Sequence, residues 1–284
     1  MGESNFLFIL SDQHHRKVSG CYGHPLVQTP HLDMLAARGT RFENAYATCP
    51  ICVPSRASLA TGRFVHQIGY WDNSHPYDGT PPSWHHLLRE QGFHCDSIGK
   101  LHFKGQNCDH GFCNEIEPLH VVDGSGDVLG CVRSDPPFRN KHDELGQAGS
   151  GDSTYLQYDN RCTKHAIDWL AHHKNDQKPW CLFLNFVCPH PPYIAPSEFY
   201  EQYPRASIPL PLQWSPDTWP NHPTIDYFRR FFDFNKGLSE ETVRRVTAAY
   251  YGTTTYLDQQ IGKVLTALDK FGLTDNTRVL YTSD

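Results

Sequence analysis

Cys52 lies two residues ahead of Pro54-Ser55-Arg56-Ala57-Ser58-Leu59, a run that reads as a helix start. A thiol placed there faces backbone N–H groups that favour an anion, and Arg56 can reach the same point. Such a cysteine suits a nucleophile, although a buried thiol ahead of a helix cap is the structural alternative. Asp12 follows the apolar run Phe6-Leu7-Phe8-Ile9-Leu10 and so stands at a strand end, where α/β sheets carry chemistry. A loop-capping Asp would have the same signature. Lys100 and His102, in Gly99-Lys100-Leu101-His102, fall on one side of an extended segment, so one anion could meet both. His190 is flanked by Pro189, Pro191 and Pro192, which fix its loop and suit the imidazole to proton delivery or anion binding. Cys49-Pro50-Ile51-Cys52 is also a C-x-x-C spacing of redox or half-zinc type, but no second pair completes a zinc site.

The elements that must position these side chains are legible. Phe6 to Leu10 predicts a buried parallel strand. Pro30 to Arg38, with its leading Pro and trailing Gly39, predicts a helix. Ser83 to Gln91, closed by Gly92, predicts another, and His94 to Ile98 the next strand. Thr154 to His173 reads as helix and Trp180 to Val187 as a second buried strand. A long helix is expected from Ser239 to about Phe271, where Gly272 ends it, with Asp258 on it as a packing or salt-bridge residue. Arg278 to Thr282 is a last strand, delivering Asp284 to an edge of the kind Asp12 occupies. Residues 104–150 lack periodicity and predict an irregular insertion, a lid or substrate loop; the Pro-rich and aromatic-rich stretch 196–235 predicts a second excursion. Strands alternating with helices imply an α/β fold whose mainly parallel sheet is covered on both faces.

Composition narrows the function classes. The 284 residues carry a net charge of −6, so there is no basic footprint for nucleic acid. No run approaches the roughly 18 apolar residues of a spanning helix, which argues against a membrane partner. The chain enters its first strand with no leader of signal-peptide type, and its ten cysteines fit a reducing compartment, so a cytoplasmic protein is expected.

Cys52-Val53-Pro54-Ser55-Arg56, followed by Thr61-Gly62-Arg63, matches the pattern C-x-P-S-R with a later T-G-R and resembles the sulfatase family. Gly99-Lys100-Leu101-His102, Pro189-His190-Pro191-Pro192 and Thr282-Ser283-Asp284 match three further elements of that family, and the likeness runs through essentially the whole chain. The resemblance implies an alkaline-phosphatase-like three-layer sandwich and a sulfuric ester hydrolase acting on a small-molecule sulfate ester. It implies that Cys52 is converted by a formylglycine-generating enzyme to formylglycine (3-oxoalanine), whose hydrated aldehyde attacks sulfur and later expels sulfate by collapsing to the aldehyde. Arg56, Lys100, His102 and His190 would complete the catalytic set, with Asp72 and Asn73 as substrate contacts. Asp12, Gln13, the modified Cys52 and Asp284 would hold a divalent metal, calcium first, with manganese or magnesium as alternatives. Gln13 departs from the usual second Asp and is similar to the choline sulfatase and phosphonate monoester hydrolase branch, as are Phe103, Gly105 and His110-Gly111-Phe112. A Gln carbonyl still ligates a hard cation but brings no charge. Residues 1–284 are then expected to be the N-terminal part of a catalytic domain whose C-terminal subdomain is missing, with an incomplete metal site. A phosphonate or phosphate monoester or diester hydrolase of the same fold, and a truncated, catalytically silent chain, are the alternatives; an oligomer is left open.

Overall fold

The apolar run at the start of the chain forms β1 (Asn5–Ser11), in which Leu7, Ile9 and Leu10 are fully buried. The computed structural model describes residues 4–105, 107–121, 141–235 and 237–284. In it, β1 belongs to a five-stranded sheet with β2 (His94–Lys104), β3 (Asn114–Val121), β5 (Trp180–Asn185) and β7 (Thr277–Ser283). The spatial order is β3-β2-β5-β1-β7 and every pairing is parallel. Strands buried on both faces need no polar alternation, which is why β5 reads Trp-Cys-Leu-Phe-Leu-Asn and is buried throughout. Two short strands, β4 (Gly149–Ser150) and β6 (Ile194–Ala195), make a second parallel pair.

Alternate residues of the central strands feed two cores. Leu7, Ile9, Leu182 and Leu184 pack on one face against α6 (Thr154–His173) and α9 (Glu240–Lys270), through Cys162, Ala166, Leu170, Leu257, Ile261 and Val264. Phe8, Leu10, Cys181 and Phe183 pack on the other against Ala57 and Ala60 of α2 (Cys52–Thr61) and against Trp84 and Leu88 of α4 (Trp84–Glu90). The result is helix, sheet, helix. At about 1.5–3 kcal/mol for each fully buried aliphatic or Phe side chain, these cores supply the stability that the charged strand ends require. Both long helices start on a serine cap: Ser153 accepts the Leu156 N–H and Ser239 the Thr242 N–H. The remaining helices are α1 (Pro30–Arg38), α3 (Val65–Ile68), α5 (His142–Gly146), α7 (Ser197–Tyr200) and α8 (Pro223–Phe231).

Three local expectations change. Within 104–150 the chain holds a full strand, β3, on the sheet edge. Its period is hidden because the register shifts by one residue between Ile98↔Ile116 and Lys100↔Leu119, with Glu117 at φ +49°. The part of that proposed insertion at 122–140 lies outside the described residues. β5 ends at Asn185 and not at Val187, because the Val187 and Cys188 N–H groups turn to the Asp159 carboxylate at 2.8 Å each. Among the described residues Asp258 has no salt-bridge partner; it is buried and caps α1, accepting the N–H groups of His31 (3.1 Å) and Leu32 (2.8 Å). The stretch 196–235 carries α7 and α8 between irregular turns. Among the described residues no helix is long and apolar enough to cross a membrane.

Candidate active site

α2 begins at Cys52, and the preceding Ile51 is extended and supplies no side-chain cap. The cap comes from a distant loop. The Asn73 side-chain carbonyl accepts the Val53 N–H at 3.2 Å, and its amide nitrogen lies 3.6 Å from Cys52 Sγ. His102 Nδ1 stands 3.2 Å from the same sulfur. Position 52 is therefore at a helix N-terminus, where negative charge is favoured, with two hydrogen-bonding side chains in contact. Burial pushes the Cys52 thiol up, with Lys100 opposing and Asp12 adding to the rise. An unmodified thiol here is a poor source of thiolate.

Arg56, one turn along α2, joins the strand ends. Its Nε lies 2.8 Å from Asp284 Oδ2 and its Nη2 3.4 Å from Asp12 Oδ2, while Nη1 donates to the Lys100 carbonyl and, at 3.3 Å, to Asn185 Oδ1. Lys100 forms an ion pair with Asp12 Oδ2. Asp12, Arg56 and Lys100 are 2%, 2% and 3% exposed, so the charges must compensate one another to be tolerated. Burial opposes ionisation of Asp12, but Lys100 and then Arg56 outweigh it and hold the carboxyl well below the usual range. Asp284 goes the other way: burial pushes it up, Arg56 opposes, and Asp12 adds to the rise. One carboxylate of the pair is thus under-compensated, and a further cation would relieve it.

The two imidazoles are neutral near pH 7. Burial, then Lys100 and Arg56, press His102 down to about 3, and burial lowers His190 with Asp12 opposing. His190 Nδ1 lies 2.6 Å from the Pro191 carbonyl, so its N–H is donated there and Nε2 carries the lone pair. His102 arrives by a left-handed backbone (φ +57°) and not by the regular alternation that its spacing from Lys100 predicts.

Asp12, Asp284 and the Gln13 side-chain carbonyl offer oxygen donors at the shared edge of β1 and β7. This donor chemistry fits a hard divalent cation, which takes about six to eight oxygens, and the three residues would supply part of such a shell. The Gln13 N–H donates to Asp284 Oδ1 at 3.0 Å. Gln13 itself has φ +62°, a left-handed conformation that a non-glycine residue holds only when its surroundings insist. Tyr250 insists: its hydroxyl donates to the Gln13 carbonyl (2.8 Å) and accepts the His15 N–H (2.9 Å). Tyr193 accepts from the Gln13 amide nitrogen at 3.2 Å.

A family model described as Sulfatase matches residues 4–284. The chain belongs to the sulfatase family. It is 29% identical to a choline-sulfatase of Rhizobium meliloti over 300 residues, covering 100% of this chain and 57% of that relative. It is 30% identical to an arylsulfatase of Clostridium perfringens over 306 residues, covering 99% of this chain and 62% of the other. The sulfatase chain thus spans about three-fifths of the length of these relatives. The crystal structure of a phosphonate monoester hydrolase of Agrobacterium radiobacter superposes with a TM-score of 0.75 at 20% identity, over 99% of this chain and 62% of that one. That likeness speaks for the fold, the alkaline-phosphatase-like α/β architecture with a parallel central sheet.

Of the residues singled out in the sequence, Cys52, Asn73 and His102 meet directly, as do Asp12, Arg56, Lys100 and Asp284, with Gln13 joined through Asp284. The Cys52 thiol feels the charges of the second group, and His190 those of Asp12, Lys100 and Asp284. Asp72 is elsewhere engaged: its carboxylate closes its own turn by accepting the Ser74 N–H (2.9 Å) and hydroxyl. Cys49 forms no disulfide with Cys52. Three contributors escape the sequence reading. Asn185, the polar end of an apolar strand, carried the same signal as Asp12; Tyr193 and Tyr250 carried none.

Proposed function

We propose that this sulfatase-family chain, residues 1–284, is the catalytic part of a sulfuric ester hydrolase whose nucleophile is formylglycine made from Cys52 by a formylglycine-generating enzyme. The observation that carries the reading is the placement of residue 52 at the start of α2, in contact with His102 and Asn73 and within the field of Arg56 and Lys100. The hydrated aldehyde and a divalent metal at Asp12, Gln13 and Asp284, calcium before manganese or magnesium, would together supply an activated oxygen nucleophile and charge stabilisation. Arg56 and Lys100 then balance the sulfate oxygens as charge develops. Asn73 and His102 hold the side chain of residue 52. His102 is committed there, so His190, whose Nε2 lone pair is free, would first take the proton that the attacking hydroxyl gives up and then return it to the leaving alcohol. Removing the nucleophile with Cys52→Ala should abolish hydrolysis of an aryl sulfate; wild-type turnover by that variant would overturn the reading.

A second reading rests on Gln13. A neutral amide where a second carboxylate is usual leaves the pocket one unit more positive, which favours a doubly charged phosphate monoester over a singly charged sulfate ester, while a phosphonate monoester shares the single charge and tetrahedral shape of the sulfate ester and would be admitted beside it. Parallel assays on matched aryl sulfate and phosphonate monoester substrates decide between them by the ratio of kcat/KM. The buried thiols Cys95, Cys162, Cys181 and Cys188, none in a disulfide, support a reducing, cytoplasmic setting. Recovery of the protein outside the cytoplasm on cell fractionation would contradict that placement.

A further inference from the structure

Away from Cys52, three side chains of the β2–β3 edge bring metal-ligand atoms together. His110 Nδ1 lies 2.8 Å from Glu115 Oε1, and His120 Nε2 lies 3.0 Å from Glu115 Oε2. One ligand atom from each residue lies within 4.8 Å of those of the other two. His110 is buried and the other two are half-buried.

Residues 115 and 120 are five apart, so in a regular strand they would face opposite sides of the sheet. β3 does not run regularly between them. Its one-residue bulge opposite Ile98–Lys100, with Glu117 at φ +49°, changes the parity and returns His120 to the side of Glu115. Left-handed backbone at a glutamate is sustained at a cost of order 1–3 kcal/mol, and strain of this kind collects at functional sites.

The hydrogen bonding points the same way. Among the described residues, His110 Nε2 and His120 Nδ1 are buried without a hydrogen-bond partner. The Glu115 carboxylate can only accept and so sets each ring proton on the nitrogen facing it, while no described group holds the far nitrogen; a cation bound at the facing nitrogen displaces the bond to Glu115 and sends the proton to a far nitrogen that has no bond to lose.

A second group among the described residues, His94, Asp96 and His173, is bonded differently. Asp96 already accepts from the Asn114 N–H and side-chain amide, the Trp169 indole N–H and His94, and His173 Nδ1 is taken by Asp176. A metal there would have to displace a complete set of bonds.

We propose that His110, Glu115 and His120 form a binding site for a first-row divalent cation of the zinc class, with a fourth position open to water. Two imidazole nitrogens and a carboxylate are borderline ligands suited to zinc, unlike the all-oxygen set of Asp12, Gln13 and Asp284. The cation would tie the end of β3 to the loop that follows β2.

The test strips the purified full chain with chelator, re-equilibrates it with zinc, and repeats the titration with cobalt(II) as a spectroscopic probe. About one equivalent of zinc should be retained, with visible cobalt bands of a four-coordinate nitrogen and oxygen site. His120→Ala and Glu115→Gln should remove that equivalent, whereas His173→Ala and Asp12→Asn should leave it. Zinc should raise the Tm of the wild type and not that of His120→Ala. Near-UV circular dichroism checks that each variant is folded, and His120→Gln replaces His120→Ala if the latter is not. Undiminished zinc in a folded His120 variant, or no zinc held by the folded wild type, overturns the assignment.

Discussion

Asp12 and Asp258 are equally hidden, 2% and 1% exposed, yet their carboxyls are displaced in opposite directions. Asp12, at the strand ends, faces two buried cations and is held far below the usual range. Asp258, at the junction of α9 and α1, is pushed up to about 6 by burial, against the two backbone N–H groups it serves. Burial alone therefore does not mark a working carboxylate. What separates the two is the partner: side-chain cations assembled from distant segments at one place, backbone donors of one helix at the other.

That contrast can be broken by substitution. Within the strand-end cluster, Cys52→Ala should cost roughly 10⁴-fold or more in kcat, since the nucleophile has no stand-in. Lys100→Met should cost about 10²–10³-fold in kcat/KM, because it removes a cation aimed at developing charge. At the helix junction the sign of the effect moves from rate to stability. Asp258→Ala leaves two buried N–H groups without an acceptor and should lower unfolding stability by about 2–3 kcal/mol in denaturant melts, with kcat of the folded enzyme unchanged. A loss of kcat matching that of Lys100→Met would erase the distinction.

Titration sharpens it. Asp258 binds its proton more tightly folded than unfolded, so its contribution to stability is complete below about pH 4 and is lost as pH rises through about 6. Asp258→Asn should flatten stability against pH across that window, and an unaltered slope would contradict the assigned shift. The smallest effect is expected from Tyr250→Phe, which frees the Gln13 carbonyl and the His15 N–H. Metal affinity, read by calorimetry, should weaken about tenfold with little change in Tm.

The strand ends were readable because buried parallel strands announce themselves as apolar runs and chemistry follows at their C-terminal edges. Asp12 and Asp284 stand there, and Lys100 stands within β2 one residue past Gly99, where the pairing with β5 ends; α1 and α9 came with end signals and periodicity. β3 was not readable, since its bulge scrambles the alternation and its pairing to β2 is a tertiary fact. Asp258 looked like a packing or salt-bridge residue because its partners, the first N–H groups of α1, are 226 and 227 positions away. Tyr193 and Tyr250 gave no signal at all. A tyrosine that holds a strained loop by its hydroxyl looks in sequence like any core aromatic.

The central claim, that residue 52 works as a modified nucleophile, is tested most directly by mass analysis of the peptide spanning it in an active preparation matured with a formylglycine-generating enzyme. Conversion of the thiol to the aldehyde is expected to lower the peptide mass by about 18 Da. A peptide of unaltered cysteine mass from fully active protein would contradict it.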